Sequence, residues 1–391
     1  MRLPPLLCQF SFLCLLANLA AADEPAGYRM CLFNGQNLDG WIVTGCQVEV
    51  QDGRLVLKDG DGLVRTHHRY ADFILELKWR ARREANWDSG IFLRCELPPE
   101  GKPWPDRYQV NLRQGLEGNL VGRPETSGKD LVVPGQWNHF KLTVVGGEAA
   151  LEINGKPAWK VGGIESRDGY VGLQAEVAGG GQFEFKELAI TELGYRSLFN
   201  GTDLTGWEGG RGDAAKCWKT EDGLLVCTGQ PGTWLRSREK FGDFNLRLEY
   251  KFRPGGNSGV YVRVPEDGNH HGIGAGIEVQ ILDDAAERYK SLQPYQYTGS
   301  LYAIVPADPR VTRPAGEWNT MEIDCRGTAY RVVNNGVVVI QADENTAPEL
   351  KQRLLEGFLG LQNHSEEVWF RHLRLGPSQQ PAPPSAAEVR P

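Results

Sequence analysis

The C-terminal half of the chain carries a carboxylate and an imidazole in segments that are otherwise typical of β-strands. In the run 276–284 polar and apolar residues alternate, so Glu278 and Gln280 share one face of a predicted strand. The same spacing groups Gln362 with His364 farther along the chain. A carboxylate and an imidazole can move protons, and amides can bind sugar hydroxyls. If these strands are neighbours, they form one polar surface that could bind and polarise a sugar.

A third segment, 258–264, adds further polar groups to this surface. Its alternation turns Val260 and Val262 inward and Tyr261 and Arg263 outward. A polar face on one half-exposed strand is most often simply solvated. Three strands with complementary groups favour a site, because a carboxylate, an imidazole, a guanidinium and amides would then meet.

Other groupings of reactive side chains carry weaker signals. Glu278 and Asp283 are an odd number of residues apart, so an unbulged strand places them on opposite faces, which argues against a glycosidase with two facing carboxylates. The histidine pairs 67–68 and 270–271 fall in predicted loops, where both neighbours rarely hold one metal ion. The glycine-rich run 272–276 precedes a strand, whereas a nucleotide site needs a helix there. We therefore expect neither a metal nor another cofactor.

Aromatic and acidic residues give further, less specific hints. Trp207, Trp234 and Trp369 could stack on sugar rings, although most tryptophans in a β-sandwich lie in its core. Asp283 with Asp284 could help to bind calcium, although a solvated strand end is the commoner meaning.

An internal repeat shows which elements must position these groups. Residues 31–41 return as 197–207, with a shared Leu-Phe-Asn-Gly run and a shared Gly-Trp end. Later matches keep their order and pair 89–94 with 258–263, 135–138 with 316–319, 154–155 with 335–336 and 172–174 with 360–362. The chain is therefore predicted to contain two copies of one domain, 23–195 and 196–376.

Each copy has the pattern of an antiparallel β-protein. In 244–252, apolar and polar residues alternate as in a half-buried strand. Asn-Gly at 154–155 and at 335–336 predicts two-residue hairpin turns. Many short strands predict an all-β sandwich or jelly roll, and a short surface helix is expected only at 347–356.

The two copies differ where chemistry is expected. The first copy has Gln109 for Glu278, Asn111 for Gln280 and Glu176 for His364, whereas Arg94 matches Arg263. Titratable groups that change while the fold persists are more plausibly functional than structural. We therefore expect the active site in the second domain and a degenerate site in the first.

The two ends of the chain carry separate signals. Arg2, an apolar stretch and three alanines predict a cleavable secretory signal peptide at 1–22, and an uncleaved anchor is the alternative. Cleavage would give a secreted or periplasmic protein without a transmembrane segment. The Pro-rich end, 377–391, is expected to be disordered.

Composition bears on the class of partner. The 391 residues include 43 basic and 50 acidic side chains, a net charge of -7, without a long run of one sign. Nucleic acids and anionic membranes require a concentrated positive surface, so neither is expected as a partner. Neutral sugars and other small molecules remain compatible with this charge.

Cysteines allow crosslinks but do not define them. Export would permit disulfides among the cysteines after the signal peptide, which are Cys31, Cys46, Cys95, Cys217, Cys227 and Cys325. Cys217 and Cys227 flank a predicted turn and could lie close together. The sequence leaves the pairing open.

The motifs of the second copy together resemble the 3-keto-disaccharide hydrolase domain family. They lie at 198–207, 257–263, 278–283, 316–319 and 360–364, and the resemblance covers 31–194 and 197–376. It implies a concanavalin A-like jelly roll, usually exported by bacteria, that cleaves glycosides already oxidised to a ketone at carbon 3. The first copy departs from the pattern at Gln109 and Glu176, which puts its activity in doubt.

The implied chemistry is an elimination, because a ketone at carbon 3 acidifies the proton on carbon 2. Glu278 or His364 would remove that proton, the other would protonate the leaving oxygen, and Arg263 with Gln280 would hold the ketone or enolate oxygen. The candidate catalytic residues are Glu278, His364 and Arg263, and the candidate substrate-binding residues are Gln280, Asn257, Tyr261, Gln362, Asp283 and Trp207. A sugar 3-oxidoreductase is an expected partner in the same pathway.

Two other functions fit the same sequence. A lectin-like carbohydrate-binding protein would use the tryptophans and amides without turnover, since this fold serves binding as readily as catalysis. A cell-surface protein could use the two domains as spacers. Separation of Glu278 from His364 into different pockets would favour the binding protein.

Overall fold

A computed structural model describes residues 26–380, which are almost entirely antiparallel β-structure. The predicted signal peptide and residues 381–391 of the predicted tail lie outside the described residues. Between 26 and 380 no helix is long and apolar enough to cross a membrane.

The strands alternate with turns over the whole described chain. They are β1 (Gly27–Cys31), β2 (Trp41–Gln51), β3 (Arg54–Thr66), β4 (Phe73–Ala81), β5 (Gly90–Cys95), β6 (Gln109–Asn111), β7 (Asn138–Val145), β8 (Glu148–Ile153), β9 (Lys156–Val161), β10 (Tyr170–Glu176), β11 (Phe183–Leu193), β12 (Arg196–Ser197), β13 (Trp207–Gly209), β14 (Trp218–Glu221), β15 (Leu224–Thr228), β16 (Leu235–Phe241), β17 (Phe244–Phe252), β18 (Asn257–Val264), β19 (Ile277–Leu282), β20 (Asn319–Arg326), β21 (Ala329–Asn334), β22 (Val337–Ala342), β23 (Gly357–Leu361) and β24 (Glu367–Gly376). One short α-helix, α1 (Val177–Gly180), joins them, with 3₁₀ turns at Ala214–Lys216, Glu287–Tyr289, Pro294–Gln296 and Pro348–Gln352.

The second domain is a sandwich of two antiparallel sheets. One has the order β14-β15-β24-β17-β20-β21-β22 with β12 beside β24, and the other has the order β13-β16-β23-β18-β19. Apolar side chains predicted to face inward, such as Leu248, Tyr250, Ile277 and Val279, form one buried core between the sheets. The predicted all-β jelly-roll architecture is confirmed.

The first domain repeats this arrangement with one difference. Its strand β3 pairs with β11 through residues 55–57 and with β10 through residues 61–65. In the second domain these two pairings belong to different strands, since β15 pairs with β24 and β16 pairs with β23. Between β15 and β16, at residues 229–234, the chain leaves the sheet. The interruption frees that segment to form part of a cleft, as described below.

The polar face of β17 is covered by the first domain. Arg247 Nη1 and Arg374 Nε each lie 2.6 Å from the carboxylate of Glu192, and His68 Nδ1 lies 3.1 Å from Glu322 Oε2. Burial tends to raise the pKa of Glu192, but Arg374 and Arg247 outweigh it and hold the pKa below its usual value. Because buried charges are tolerated only when paired, this network fixes one domain against the other.

The segment expected to be a surface helix forms only the 3₁₀ turn Pro348–Gln352. The end of this turn and the residues after it bond to the loop at 274–275. Gln352 O accepts from Gly274 N, and Leu354 N donates to Ala275 O. These bonds remove the backbone groups that a longer helix would need.

The start of the predicted tail is ordered. Ser378 Oγ and Gln379 N both donate to the Asp324 carboxylate, and Gln380 is buried. The prediction of disorder therefore fails for these residues, because these two hydrogen bonds compensate for the lack of a hydrophobic core.

Cys217 and Cys227 do not form a disulfide. Cys217 Sγ donates to Thr233 O, and Cys227 Sγ donates to Asn363 Oδ1. Both thiols lie in the core of the second domain.

Candidate functional site

A polar cavity of about 300 Å³ lies over the sheet that contains β18, β19 and β23. Tyr261 pairs with Glu278 on one side and with Gly360 on the other, while Gly259 pairs with Gln280. Directly opposed residues share a sheet face, so these pairs point the polar groups to the same side. The lining residues are Asn257, His270, His271, Glu278, Gln280, Leu282, Tyr289, Leu292, Gln296, Tyr302, Gln362 and His364.

Glu278 is the most perturbed group in this cavity. It is 2% exposed, and burial raises its pKa to about 8. Its Oε2 lies 3.2 Å from His270 Nε2, whereas its Oε1 has no hydrogen-bond partner among residues 26–380. A carboxyl group with a pKa near neutrality and an unpartnered oxygen is suited to exchange a proton with a bound molecule.

His270 reaches Glu278 from a loop and not from a strand. Its Nδ1 lies 3.2 Å from Gly268 O, which leaves Nε2 to face the carboxyl group. Burial lowers the pKa of His270 while it raises the pKa of Glu278. Both shifts favour a neutral pair, in which an uncharged carboxyl group lies beside an uncharged imidazole.

The loop that carries His270 is held at several points. Asn269 N donates to Asp267 Oδ1, and Asn269 Oδ1 accepts from His271 N. Arg353 Nη1 donates to the backbone oxygen of His270, at 3.1 Å. The ring of His270 also stacks on Tyr261, with centroids 4.8 Å apart. The imidazole is therefore fixed before any ligand arrives.

Glycine at position 259 provides space for the Glu278 side chain. A Cβ atom at this position would lie 2.1 Å from Glu278 Oε1. A side chain there would displace the carboxyl group, so the small residue is a steric requirement of the site.

Amide side chains line the rest of the cavity. Gln280 Nε2 donates to Asn257 Oδ1 at 3.3 Å, and the Tyr261 hydroxyl lies beside the amide of Gln362. Like Glu278 Oε1, Gln362 Oε1 is buried without a hydrogen-bond partner among the described residues. These two unpartnered acceptors give the cavity two positions to which a bound molecule can donate a hydrogen bond.

His364 lines the same cavity as Glu278, as predicted, but its side chain is 57% exposed. Its Nδ1 lies 3.4 Å from Glu366 Oε2, at the mouth. The side chain in ion-pair contact with Glu278 is thus His270. Sequence spacing missed His270 because the residue lies in a loop, and its one signal was the adjacent pair 270–271.

Arg263 is not in the cavity, which corrects the prediction. Between Tyr261 and Val264 the register with β23 shifts, and Arg263 takes a positive φ of 52°. This β-bulge turns the guanidinium away from Glu278. Its donors go to Gly242 O, Gly327 O and Asp243 Oδ1, and the side chain is fully buried.

The first domain repeats this arrangement with Arg94. It has a φ of 43°, is buried, and donates to Ala71 O, Gly146 O and Asp72 Oδ1. Because the arginine makes matching contacts in both domains, it is part of the scaffold.

Arg263→Ala is therefore expected to lower the free energy of unfolding by about 4 kcal/mol, because buried carbonyl oxygens lose their donors. Arg94→Ala is the matched control and is expected to cost a similar amount. Urea unfolding measures both. A loss of kcat greater than 100-fold with unchanged stability for Arg263→Ala alone would contradict the scaffold role.

Two predicted substrate-binding residues also lie elsewhere. Trp207 is 5% exposed and donates from Nε1 to Leu198 O at 2.6 Å, as Trp41 does to Leu32 O. Asp283 Oδ2 accepts from the backbone of the turn before β18 and does not line the cavity. Both predictions fail because a residue type alone cannot distinguish a structural hydrogen bond from a contact with ligand.

The first domain lacks these groups at the same positions. Its register pairs Phe92 with Gln109 and Gly90 with Asn111, which confirms the predicted alignment with the second domain. There Gln109 Nε2 donates to Gln174 Oε1, and Gln174 Nε2 donates to Glu176. The amides therefore satisfy one another where the second domain has its carboxyl group.

Residues 26–380 contain no cluster of three or more His, Cys, Asp or Glu side chains that could hold a metal ion. The polar groups of the cavity are instead a carboxyl group, imidazoles, amides and phenols.

Comparisons with known proteins place both halves in one family. The sequence pattern of the 3-keto-alpha-glucoside-1,2-lyase-like domain matches residues 30–191 and 194–376. A 3-keto-disaccharide hydrolase of Bacteroides thetaiotaomicron is 28% identical over 232 residues, which are 48% of this chain and 80% of the relative. A crystal structure from Parabacteroides distasonis, provisionally described as a glycosyl hydrolase, is 25% identical, with a TM-score of 0.41 over 47% of this chain and 94% of that one. A carbohydrate-binding module of Bacillus subtilis is 12% identical, with a TM-score of 0.33 over 46% of this chain and 99% of that one.

Proposed function

The chain belongs to the 3-keto-alpha-glucoside-1,2-lyase-like domain family, and from this premise we propose that its second domain cleaves glycosides that carry a ketone at carbon 3. The observation that carries the proposal is the buried carboxyl group of Glu278, with one oxygen beside His270 and the other unpartnered. Such a group is a base of suitable strength for a carbon acid next to a ketone.

The first step is removal of the proton on carbon 2. The ketone at carbon 3 makes this proton acidic, and Oε1 of ionised Glu278 takes it. Because burial raises the pKa of Glu278 to about 8, its carboxylate is a stronger base than an exposed one. The electron pair of the broken C–H bond passes into the enolate of carbons 2 and 3.

The enolate oxygen needs hydrogen-bond donors. Arg263 cannot serve, since its donors go to Gly242 O, Gly327 O and Asp243. The amide of Gln280 lies on the same face as Glu278 and lines the same cavity. We assign oxyanion stabilisation to this amide.

Elimination and addition of water complete the reaction. The enolate reforms the ketone, carbons 1 and 2 become doubly bonded, and the bond from carbon 1 to the leaving oxygen breaks. His364, at the mouth of the same cavity, protonates that oxygen. Water then adds a hydroxyl to carbon 1 and a proton to carbon 2, so the net change is hydrolysis.

This chemistry determines the biological setting that we propose. An enzyme that oxidises carbon 3 of a sugar must supply the substrate. The predicted signal peptide would place the reaction outside the cytoplasm, in the periplasm or the medium.

The test compares a 3-keto-glucoside with the same unoxidised glucoside, using purified protein from residue 23 onward. We expect release of the leaving group from the keto substrate only. Cleavage of both would indicate an ordinary glycosidase. Cleavage of neither, with sugar binding retained, would indicate a carbohydrate-binding protein without turnover.

A further inference from the structure

We infer that a second cavity beside the Glu278 cavity binds the leaving group, and that this group is a neutral sugar ring. This inference rests on the proposed function. The second cavity has a volume of about 390 Å³ and is lined by Arg211, Trp234, Tyr261, Asp267, Gly268, Asn269, His270 and His271. His270 and His271 line both cavities, so the two spaces adjoin at that pair. A bond cleaved near Glu278 would place the reacting sugar in one cavity and its substituent in the other.

Trp234 provides the platform of this second subsite. Its indole packs against three glycines, because a Cβ at Gly210, Gly268 or Gly360 would lie 2.1, 2.8 or 2.5 Å from the ring. Tyr261 meets it edge to face, with centroids 5.3 Å apart. Trp234 remains only half-buried, so part of a firmly held aromatic surface faces the cavity. The C–H face of a sugar ring packs well on such a surface.

Polar groups lie along one side of the Trp234 ring. Arg211 Nη2 donates to Asp267 O at 2.8 Å, and Arg211 N donates to Thr233 Oγ1. The Arg211 and Asp267 side chains are both exposed at the rim. One cation beside one anion favours a neutral molecule with many hydroxyl groups over a charged one.

The first domain fills the equivalent space with its own side chains. Arg65 pairs with Gly172 as Arg236 pairs with Gly360, so Leu63 occupies the position of Trp234. Leu63 packs with Phe92 and Cys95 in a small apolar cluster. Trp234 therefore accompanies Glu278 in the second domain, and both are absent from the first.

The test measures kcat/KM for 3-keto-maltose and for methyl 3-keto-α-glucoside, whose leaving group is too small to reach Trp234. We expect Trp234→Ala to lower the ratio of kcat/KM, disaccharide over methyl glycoside, by about tenfold, because one stacking contact is lost. Trp234→Phe, which keeps a ring, should lower it by less than threefold. Arg211→Ala changes an exposed side chain and should lower the ratio about fivefold. An unchanged ratio in Trp234→Ala and Arg211→Ala would overturn the inference.

A binding measurement tests this inference independently of the proposed reaction. Titration calorimetry with unoxidised maltose should show weak binding to the wild-type protein and at least tenfold weaker binding to Trp234→Ala. This expectation holds even if neither keto substrate is cleaved, in which case the proposed reaction fails and the sugar subsite stands. Equal maltose affinity in the two proteins, or none in the wild type, would refute the subsite.

Discussion

Glu278→Gln is expected to lower kcat for a 3-keto-glucoside by about 10³-fold, because glutamine fills the same space but cannot accept the proton from carbon 2. KM should change by less than threefold, since the amide keeps the contacts of the cavity. In the wild-type protein kcat/KM should rise with pH up to about 8, as Glu278 ionises. Steady-state kinetics between pH 5 and pH 9 measure both effects.

The same substitution, Glu278→Gln, should increase the stability of the folded protein although it lowers kcat. The pKa of Glu278 is raised from 4.5 to about 8 in the folded protein, so between these values the unfolded chain releases a proton that the folded protein retains. This difference favours unfolding by about 3 kcal/mol at pH 7. Glu278→Gln should therefore be more stable than the wild type at pH 7 and equally stable at pH 4.

The matched control is Glu176→Gln, which removes a carboxyl group beside Gln174 in the first domain. It should leave turnover within twofold of the wild type. Retention of more than a tenth of wild-type turnover by Glu278→Gln would remove Glu278 from the role of base.

His270→Gln is expected to lower kcat by about 10²-fold, because the imidazole positions the Glu278 carboxyl group through the 3.2 Å contact to Oε2. With Nδ1 facing Gly268 O, the neutral imidazole offers the carboxylate no donor from Nε2. A glutamine amide can donate to the carboxylate instead. The rise of kcat/KM with pH should therefore move below pH 8.

His271→Gln separates positioning from a general effect on the loop. His271 lines both cavities, but within the described structure it has no ion-pair contact with Glu278 such as His270 makes. We expect it to alter KM more than kcat and to leave the pH dependence in place. A pH profile for His270→Gln that coincides with that of the wild type would rule out the positioning role.

Much of the candidate site could be predicted because strand alternation is a local property. Glu278 and Gln280 share a face, and Ile277, Val279 and Ile281 enter the core as expected. Gln362 and His364 also line the cavity, although β23 ends before them at Leu361. The internal repeat gave the equivalence of Gln109 with Glu278, which the strand register confirms. Neither inference required knowledge of distant contacts.

The errors have equally specific causes. A bulge of one residue reverses the direction of Arg263, and alternation counted along the sequence cannot detect it. Trp207 belongs to a motif that both domains use for the same structural hydrogen bond. The face of β17 that carries Arg247 is polar because it meets the first domain and not the solvent.

The sequence by itself determined that two β-sandwich domains repeat, which copy keeps titratable groups, and which side of each regular strand these groups occupy. Only the tertiary structure decided that His270 contacts Glu278, that Trp234 adjoins the same cleft, and that Arg263 is buried in the scaffold. The physical reason is that periodicity follows from backbone geometry over a few residues, whereas these contacts join loops, bulges and strands that are distant in sequence. Such contacts depend on where the chain leaves the sheet and on what packs against it there.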